Sequence, residues 1–219
     1  GCSLPKLFQV VINQGNLMAF NRGNIEKQIQ HIPKEVKWCK KCVVSNQRPR
    51  IIFDDKGVCS GCRNTEYKNN DVDWDQREKE LVKTINELNL DNTKWNCVVP
   101  GSGGKDSTYQ IIKAKELGLN PVFVTASTCD LSAIGRENLE NIKNLGFDVI
   151  EISNNSKVRA KINKITLDLI GDISWPEHVS IFTVPVKFAL AYNIPLILWG
   201  ENPQIEYGGP EKSLNNNIL

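Results

Sequence analysis

The 219 residues predict an α/β protein: a doubly wound parallel sheet preceded by a small cysteine-bound unit. Three observations lead there. From Trp95 onward, short apolar runs alternate with stretches whose apolar residues recur at helical spacing, the pattern of a parallel sheet with helices on both faces. The helical stretches close on glycines, at Gly118, Gly146 and Gly171. Ahead of them stand two C-x-x-C pairs, Cys39 with Cys42 and Cys59 with Cys62.

Each element has its own warrant. Residues 1–37 carry no glycine or proline framework linking them to the rest of the chain, and they read as an unassigned extension. Residues 38–70 are cysteine-rich and lack long apolar runs; Arg50–Phe53 reads as a strand and Asp54–Gly57 as the turn of a hairpin. Residues 71–94 form a connecting helix over Asp71–Leu90, with Asp73 as N-cap, Gln76 at capping-box distance and an apolar stripe of Leu81, Ile85 and Leu88. Residues 95–219 form the α/β domain. Its strands are expected at Trp95–Val99, Pro121–Ala126, Asp148–Ile152 and Pro195–Trp199. Its helices are expected at Asp106–Leu117, at Ile134–Leu145, along the stripe Val158, Ile162, Ile165, Leu169, and around Val179–Tyr192, the last bent or interrupted by Pro185.

Composition excludes some classes. Lys and Arg number 27 against 25 Asp and Glu, so the net charge is +2, and a nucleic-acid partner is not expected from the total. No run of about 18 apolar residues occurs, so no membrane span is expected. Seven cysteines, four of them in paired spacing, argue for metal in a reducing, cytoplasmic setting and against a disulfide framework. Two close thiolate pairs make a tetrahedral sulfur site, which suits structural Zn²⁺; an iron–sulfur cluster uses the same ligands. Cys97 lies inside the first strand and reads as a buried small residue, whereas Cys129 follows the second strand at the ligand end of the sheet. Neither His31 nor His178 has the neighbours of a nucleophilic triad.

The stretch VVPGSGGKDST, Val98–Thr108, carries the chemistry. A Walker A loop aligned on Gly104-Lys105 puts Val99 at the first glycine and Asp106 at the magnesium-binding hydroxyl, and both positions fail. A Rossmann fingerprint aligned on Gly101 and Gly103 fails at Asp106. What remains still suits phosphate. Gly103 and Gly104 let backbone N–H groups approach an anion, Ser102 and Ser107 add hydroxyl donors, and Lys105 adds positive charge. Asp106 fits a bound Mg²⁺ or the helix N-terminus. If the strands run in the order 3-2-1-4, the loops after strands one and four face each other. Then Gly200 admits a nucleotide closely, Glu201 orients magnesium or a nucleophile, and Asn202 holds substrate. Thr125 and Ala126, ending strand two, fall near adenine.

SGGKDS, Ser102–Ser107, resembles the pyrophosphate loop of the PP-loop ATP pyrophosphatases, whose fold is HUP-like. That resemblance implies attack on the α-phosphate of ATP with pyrophosphate as the leaving group. Together with WCKKCVVSNQRPRIIFDDKGVCSGCRN, VDWDQREKEL, Trp175-Pro176 and YNIPLILWGENPQIEYGG, the loop resembles one branch, the N-acetyl sugar amidotransferases. Those enzymes make acetamidino sugars for O-antigen or flagellin glycans. The resemblance covers roughly Trp38–Gly209, and members continue beyond Leu219, so it implies that the domain is truncated at its carboxyl end. It implies a zinc ribbon on Cys39, Cys42, Cys59 and Cys62, ATP as co-substrate with Mg²⁺, and a free or nucleotide-linked sugar as acceptor. It implies Lys105, Asp106 and Glu201 in catalysis, Trp175 and Asn202 near the sugar, and separate glutaminase and cyclase-like subunits that supply ammonia. Two alternatives stand beside it: a tRNA-modifying thiolase of the same superfamily, and a zinc-ribbon binding module with a non-catalytic nucleotide domain.

Overall fold

The computed structural model describes residues 33–48, 51–127 and 131–200. Among them are six helices and four strands: α1 (Ser60–Asn70), α2 (Trp74–Glu87), β1 (Cys97–Pro100), α3 (Lys105–Glu116), β2 (Pro121–Ser127), α4 (Ala133–Asn144), β3 (Val149–Ser153), α5 (Ser156–Ile170), α6 (Trp175–Ala191) and β4 (Leu196–Ile197). The sheet is wholly parallel, in the order β3-β2-β1-β4. Chain direction therefore reverses its march at β1, and the ends of β1 and β4 lie side by side, as the sequence predicts for a doubly wound sheet.

Strand alternation divides the core into two layers. Cys97 and Val99 of β1 and Phe123 of β2 face a cluster with Ile85, Ile111, Ala114, Leu139 and Ile142, so α2, α3 and α4 cover that side. Val98, Val122 and Val124 face the other way, onto Val184, Phe188 and Ala189 of α6. β1 and β2 read as near-continuous apolar runs because both their faces are buried. α5 lies outside α6 and has no buried residue of its own. Polar contacts fix it instead: Asn163 donates to the Glu177 carboxylate at 2.8 and 3.0 Å, and Arg159 approaches the same group at 3.7 Å.

Four departures from the sequence reading have physical causes. The hairpin near the cysteines shrinks to single antiparallel bridges, Trp38 with Ser45 and Phe53 with Cys59; Arg50 lies outside the described residues. Helix α1 is unanticipated: it buries nothing, so it writes no apolar stripe into the sequence. The connecting helix is shorter than expected, and of its stripe only Ile85 is buried, with Leu81 and Leu88 on the surface. Its N-cap is as read: the Asp73 carboxylate accepts the Gln76 N–H at 2.9 Å. Finally, α6 is continuous from Trp175 to Ala191 with Pro185 inside it. Pro185 lacks an N–H, so the carbonyl of Ile181 loses its helical partner.

Candidate functional site

Beyond the carboxyl ends of β1, β2 and β4 opens a cleft of about 1000 Å³. Its floor is the turn from β1 into α3, with Pro100, Gly101, Ser102, Gly104, Asp106, Ser107, Tyr109 and Gln110 on the lining. One side is the end of β2, Val124–Ser127; the other is Ile181, Phe182 and Pro185 of α6 with Trp199 and Gly200 after β4. The loops after β1 and β4 share one cleft, as the expected strand order requires.

The turn is shaped by its glycines. Gly103 has φ +82°, and a Cβ there would also press within 3.1 Å of the Asn138–Leu139 backbone. Gly101 is tighter: a Cβ would fall 2.3 Å from Ser107 Cβ and 2.7 Å from Phe123 Cζ. Sequence reasoning does not single out Gly101, because nothing in its spacing reveals that α3 and Phe123 close on it. Gly104 is the N-cap of α3 and gives no side-chain cap, so the first N–H groups of the helix keep no side-chain acceptor there. The hydroxyls of Ser107 and Thr108 both donate to the Gly104 carbonyl, at 3.2 and 3.0 Å, which pins the turn onto the helix. An uncapped helix start in a cleft is an anion site in waiting.

Of the residues expected at ATP, Ser102, Gly104, Asp106, Ser107, Thr125, Ala126 and Gly200 all line this cleft. Gly103 is buried beneath the turn. Lys105 stands at the rim, its Nζ 2.6 Å from Asp106 Oδ1, with both side chains largely exposed at 88% and 79%. A pair so exposed is held weakly, so the ammonium is free to swing to another anion. Trp175 opens α6 but is not part of the lining. Glu201, Asn202, Cys129 and His31 lie outside the described residues, and His178 is exposed on α6. Cys97 is fully buried, and burial pushes its thiol up to about 12, so it is no nucleophile. Lining residues that sequence reasoning does not single out include Gly101, Gln110, Ile181 and Phe182, whereas Trp199 opens the loop it sets opposite the turn.

The four cysteines converge. Their Sγ atoms all lie within 4.8 Å of one another, with Cys39 to Cys62 at 3.9 Å and Cys42 to Cys59 at 3.7 Å. A Zn–S bond of about 2.3 Å implies sulfur–sulfur edges of about 3.8 Å in a tetrahedron. The spacing is far beyond a disulfide bond of about 2.05 Å, and all four are free thiols. Backbone N–H groups of Lys41 and Cys59 donate to Cys39 Sγ, each at 3.3 Å, and that of Cys62 to Cys59 Sγ at 3.4 Å. Burial opposes ionisation of Cys39, yet the N–H groups of Cys59, Lys41 and Cys42 outweigh it and bring that thiol to about 6. Hydrogen bonding to Cys42, with burial, pushes Cys62 up to about 12. Cys39 is thus ready as a thiolate, while Cys59 and Cys62 hold protons that a metal would displace. Four cysteines so placed can bind a metal such as zinc, and they leave no position open for substrate.

No family model matches the chain. Among curated proteins it is 29% identical, over 110 residues, to an uncharacterized protein of Methanocaldococcus jannaschii; the match covers 49% of this chain and 38% of that protein's length. Among solved structures it is similar to one described as a predicted subunit of tRNA methyltransferase, also from M. jannaschii, at 22% identity over 53% of this chain and 58% of that one, with a TM-score of 0.33. Among the described residues no helix is long and apolar enough to cross a membrane.

Proposed function

We propose that this chain carries the nucleotide site of an ATP-dependent adenylating enzyme, one that transfers AMP to an acceptor oxygen and releases pyrophosphate. One observation carries the reading: the turn Ser102–Ser107 brings an uncapped helix start, with Ser102 and Ser107 on the lining, into the cleft where β1 and β4 part company. The site lacks the hydroxyl that holds magnesium in a Walker A loop, since Asp106 stands in its place. It therefore fits the grip on a leaving pyrophosphate better than γ-phosphoryl transfer. Adenosine lies towards Thr125 and Ala126; Asp106 holds Mg²⁺ and Lys105 closes on the phosphates, stabilising the charge that develops on them.

The acceptor follows from the resemblance of Trp38–Gly209 to N-acetyl sugar amidotransferases. The amide oxygen of an N-acetyl group bonds to the α-phosphorus, and the α–β bridging P–O bond breaks with its electron pair leaving on pyrophosphate. Loss of the amide proton gives a neutral O-adenylyl imidate. Ammonia then adds at the imidate carbon, AMP departs, and an amidine remains. Zinc on Cys39, Cys42, Cys59 and Cys62 is structural in this scheme. A second reading, a tRNA thiolase, rests on the same two parts, a four-cysteine unit ahead of a pyrophosphate loop, with RNA as acceptor and sulfur as nucleophile.

The test uses ATP labelled at the α- and γ-phosphates. Incubation with Mg²⁺, ammonium and either N-acetyl sugar nucleotides or tRNA is expected to give AMP and pyrophosphate, with mass spectrometry identifying the modified acceptor. Lys105→Ala and Asp106→Ala are each expected to lower turnover by roughly 10²-fold or more, as removal of one transition-state contact does. Release of ADP would overturn the assignment of the loop.

A further inference from the structure

The cleft is chemically lopsided. Its β2 side presents a strand end, and its floor the phosphate turn, whereas its β4 side is aromatic and uncharged. There Phe182 and Trp199 stand with ring centroids 5.5 Å apart, tilted by 38°. Ile181 and Pro185 complete the wall, and Phe182 is half exposed without a core partner to justify it. Asp106 is the one charged side chain on the cleft lining among the described residues. Two acceptors near this wall lack their usual donor. The Ile181 carbonyl has lost its helical donor to Pro185. Gln110 Oε1 is buried with no hydrogen-bond partner, packed where Gly200 passes so closely that a Cβ would sit 3.1 Å away.

Resting on the adenylation reading above, we infer that Phe182 and Trp199 form the acceptor subsite, on which the flat C–H face of a neutral sugar ring stacks, and that Gln110 accepts the N–H of its acetamido group. The placement comes from the sheet. β1 lies between β2 and β4, so an α-phosphate held at the β1 turn has the nucleoside on one side and the β4 wall on the other. A sugar presents C–H groups to aromatic faces and hydroxyls around its edge. Gln110 does more than bind. As the amide oxygen bonds to phosphorus, positive charge grows on the amide nitrogen and its N–H becomes a stronger donor. An acceptor at that proton therefore favours the transition state over the ground state. Among the described residues the wall offers no cation to the phosphates of an RNA acceptor, which disfavours it.

Calorimetry with ATP and Mg²⁺ tests the nucleotide site, and saturation-transfer NMR with N-acetylglucosamine, N-acetylgalactosamine, their UDP conjugates and glucose tests the wall, on the full chain. If the wild type fails to bind ATP, the adenylation reading fails and the wall falls with it. If ATP binds but no N-acetylhexosamine, free or UDP-linked, receives saturation, the inference alone is overturned. Expected instead is sugar binding that Trp199→Ala and Phe182→Ala each weaken by about tenfold relative to ATP binding, the weight of one aromatic contact, and that Trp199→Phe restores in part. Gln110→Leu, which keeps the shape and removes the orphaned oxygen, is expected to abolish the preference for N-acetylglucosamine over glucose while leaving glucose itself unaffected. Loss of ATP binding in Trp199→Ala, with the thermal transition intact, would place adenine on the wall and overturn the inference. Trp199-dependent binding of hexauridylate in place of sugars would overturn it too.

Discussion

At Gly101 the whole site depends on one missing carbon. The Ser107 side chain and the Phe123 ring occupy the space a Cβ would need. Neither can retreat easily: Ser107 belongs to α3, which starts at the turn, and Phe123 is wholly buried in the core of β2. Gly101→Ala is therefore expected to push α3 away from β1 and misalign the N–H groups proposed to meet phosphate. Overpacking of this kind costs about 1–3 kcal/mol of stability. Thermal denaturation with and without ATP and Mg²⁺ checks it: the variant melts lower, and the upward shift that ATP gives the wild type shrinks or disappears. A Gly101→Ala protein that bound ATP as the wild type does would refute the close packing. Cys97 illustrates the opposite relation between sequence and site. Its place within a strand already marks it as a packing residue, and its burial in the sheet bears that out.

Among the elements, what can be read from the sequence is what burial writes into it. β1 and β2 are buried on both faces and read as apolar runs; α3 and α4 each bury a stripe and end one residue before Leu117-Gly118 and Leu145-Gly146, glycines at φ +82° and +88°. Helix α1 buries nothing and leaves no such trace. α6 starts ahead of the expected Val179, with Pro176 in its first turn, where its missing N–H does no harm. The phosphate turn is legible because its residues are consecutive. The aromatic wall is not, because Phe182 and Trp199 meet only once α6 and β4 are laid beside β1. The cysteine unit combines both cases: its ligands are plain in the spacing, while strand pairing among its described residues is confined to two isolated bridges. With so little strand pairing, a metal bound by the four cysteines would hold much of the unit's fold, contributing on the order of 10 kcal/mol. Metal analysis is expected to find about one zinc per chain, by the four-ligand logic of such sites. Chelation is expected to expose four thiols to alkylation while buried Cys97 stays protected. An iron–sulfur absorption band from anaerobically prepared protein would replace zinc with a cluster and favour the thiolase reading.

For the molecule as a whole, the open question is the source of nitrogen. Amidine formation needs free ammonia, and at neutral pH ammonium dominates. Enzymes that face this problem draw ammonia from glutamine, and hydrolysing glutamine takes a cysteine nucleophile activated by a histidine. The described residues offer no such pair. Cys97 is sealed in the core with its thiol pushed up to about 12, the other four described cysteines are gathered in one cluster, and His178 is exposed on α6. We propose a glutaminase partner acting through a cyclase-like subunit, as the family resemblance implies. The protein alone is expected to form amidine with high concentrations of ammonium, at a rate that rises with pH as free ammonia does, and to be inert to glutamine. Adding the partner is expected to make glutamine an efficient donor and to flatten that dependence, because ammonia then arrives without equilibrating with solvent. The measurement is the rate of AMP release at fixed ATP and acceptor, with each nitrogen source, across about pH 6.5 to about 8.5, a window in which His but no unperturbed carboxylate titrates. Efficient use of glutamine by the isolated protein would refute the partner and require a nucleophilic centre beyond the described residues.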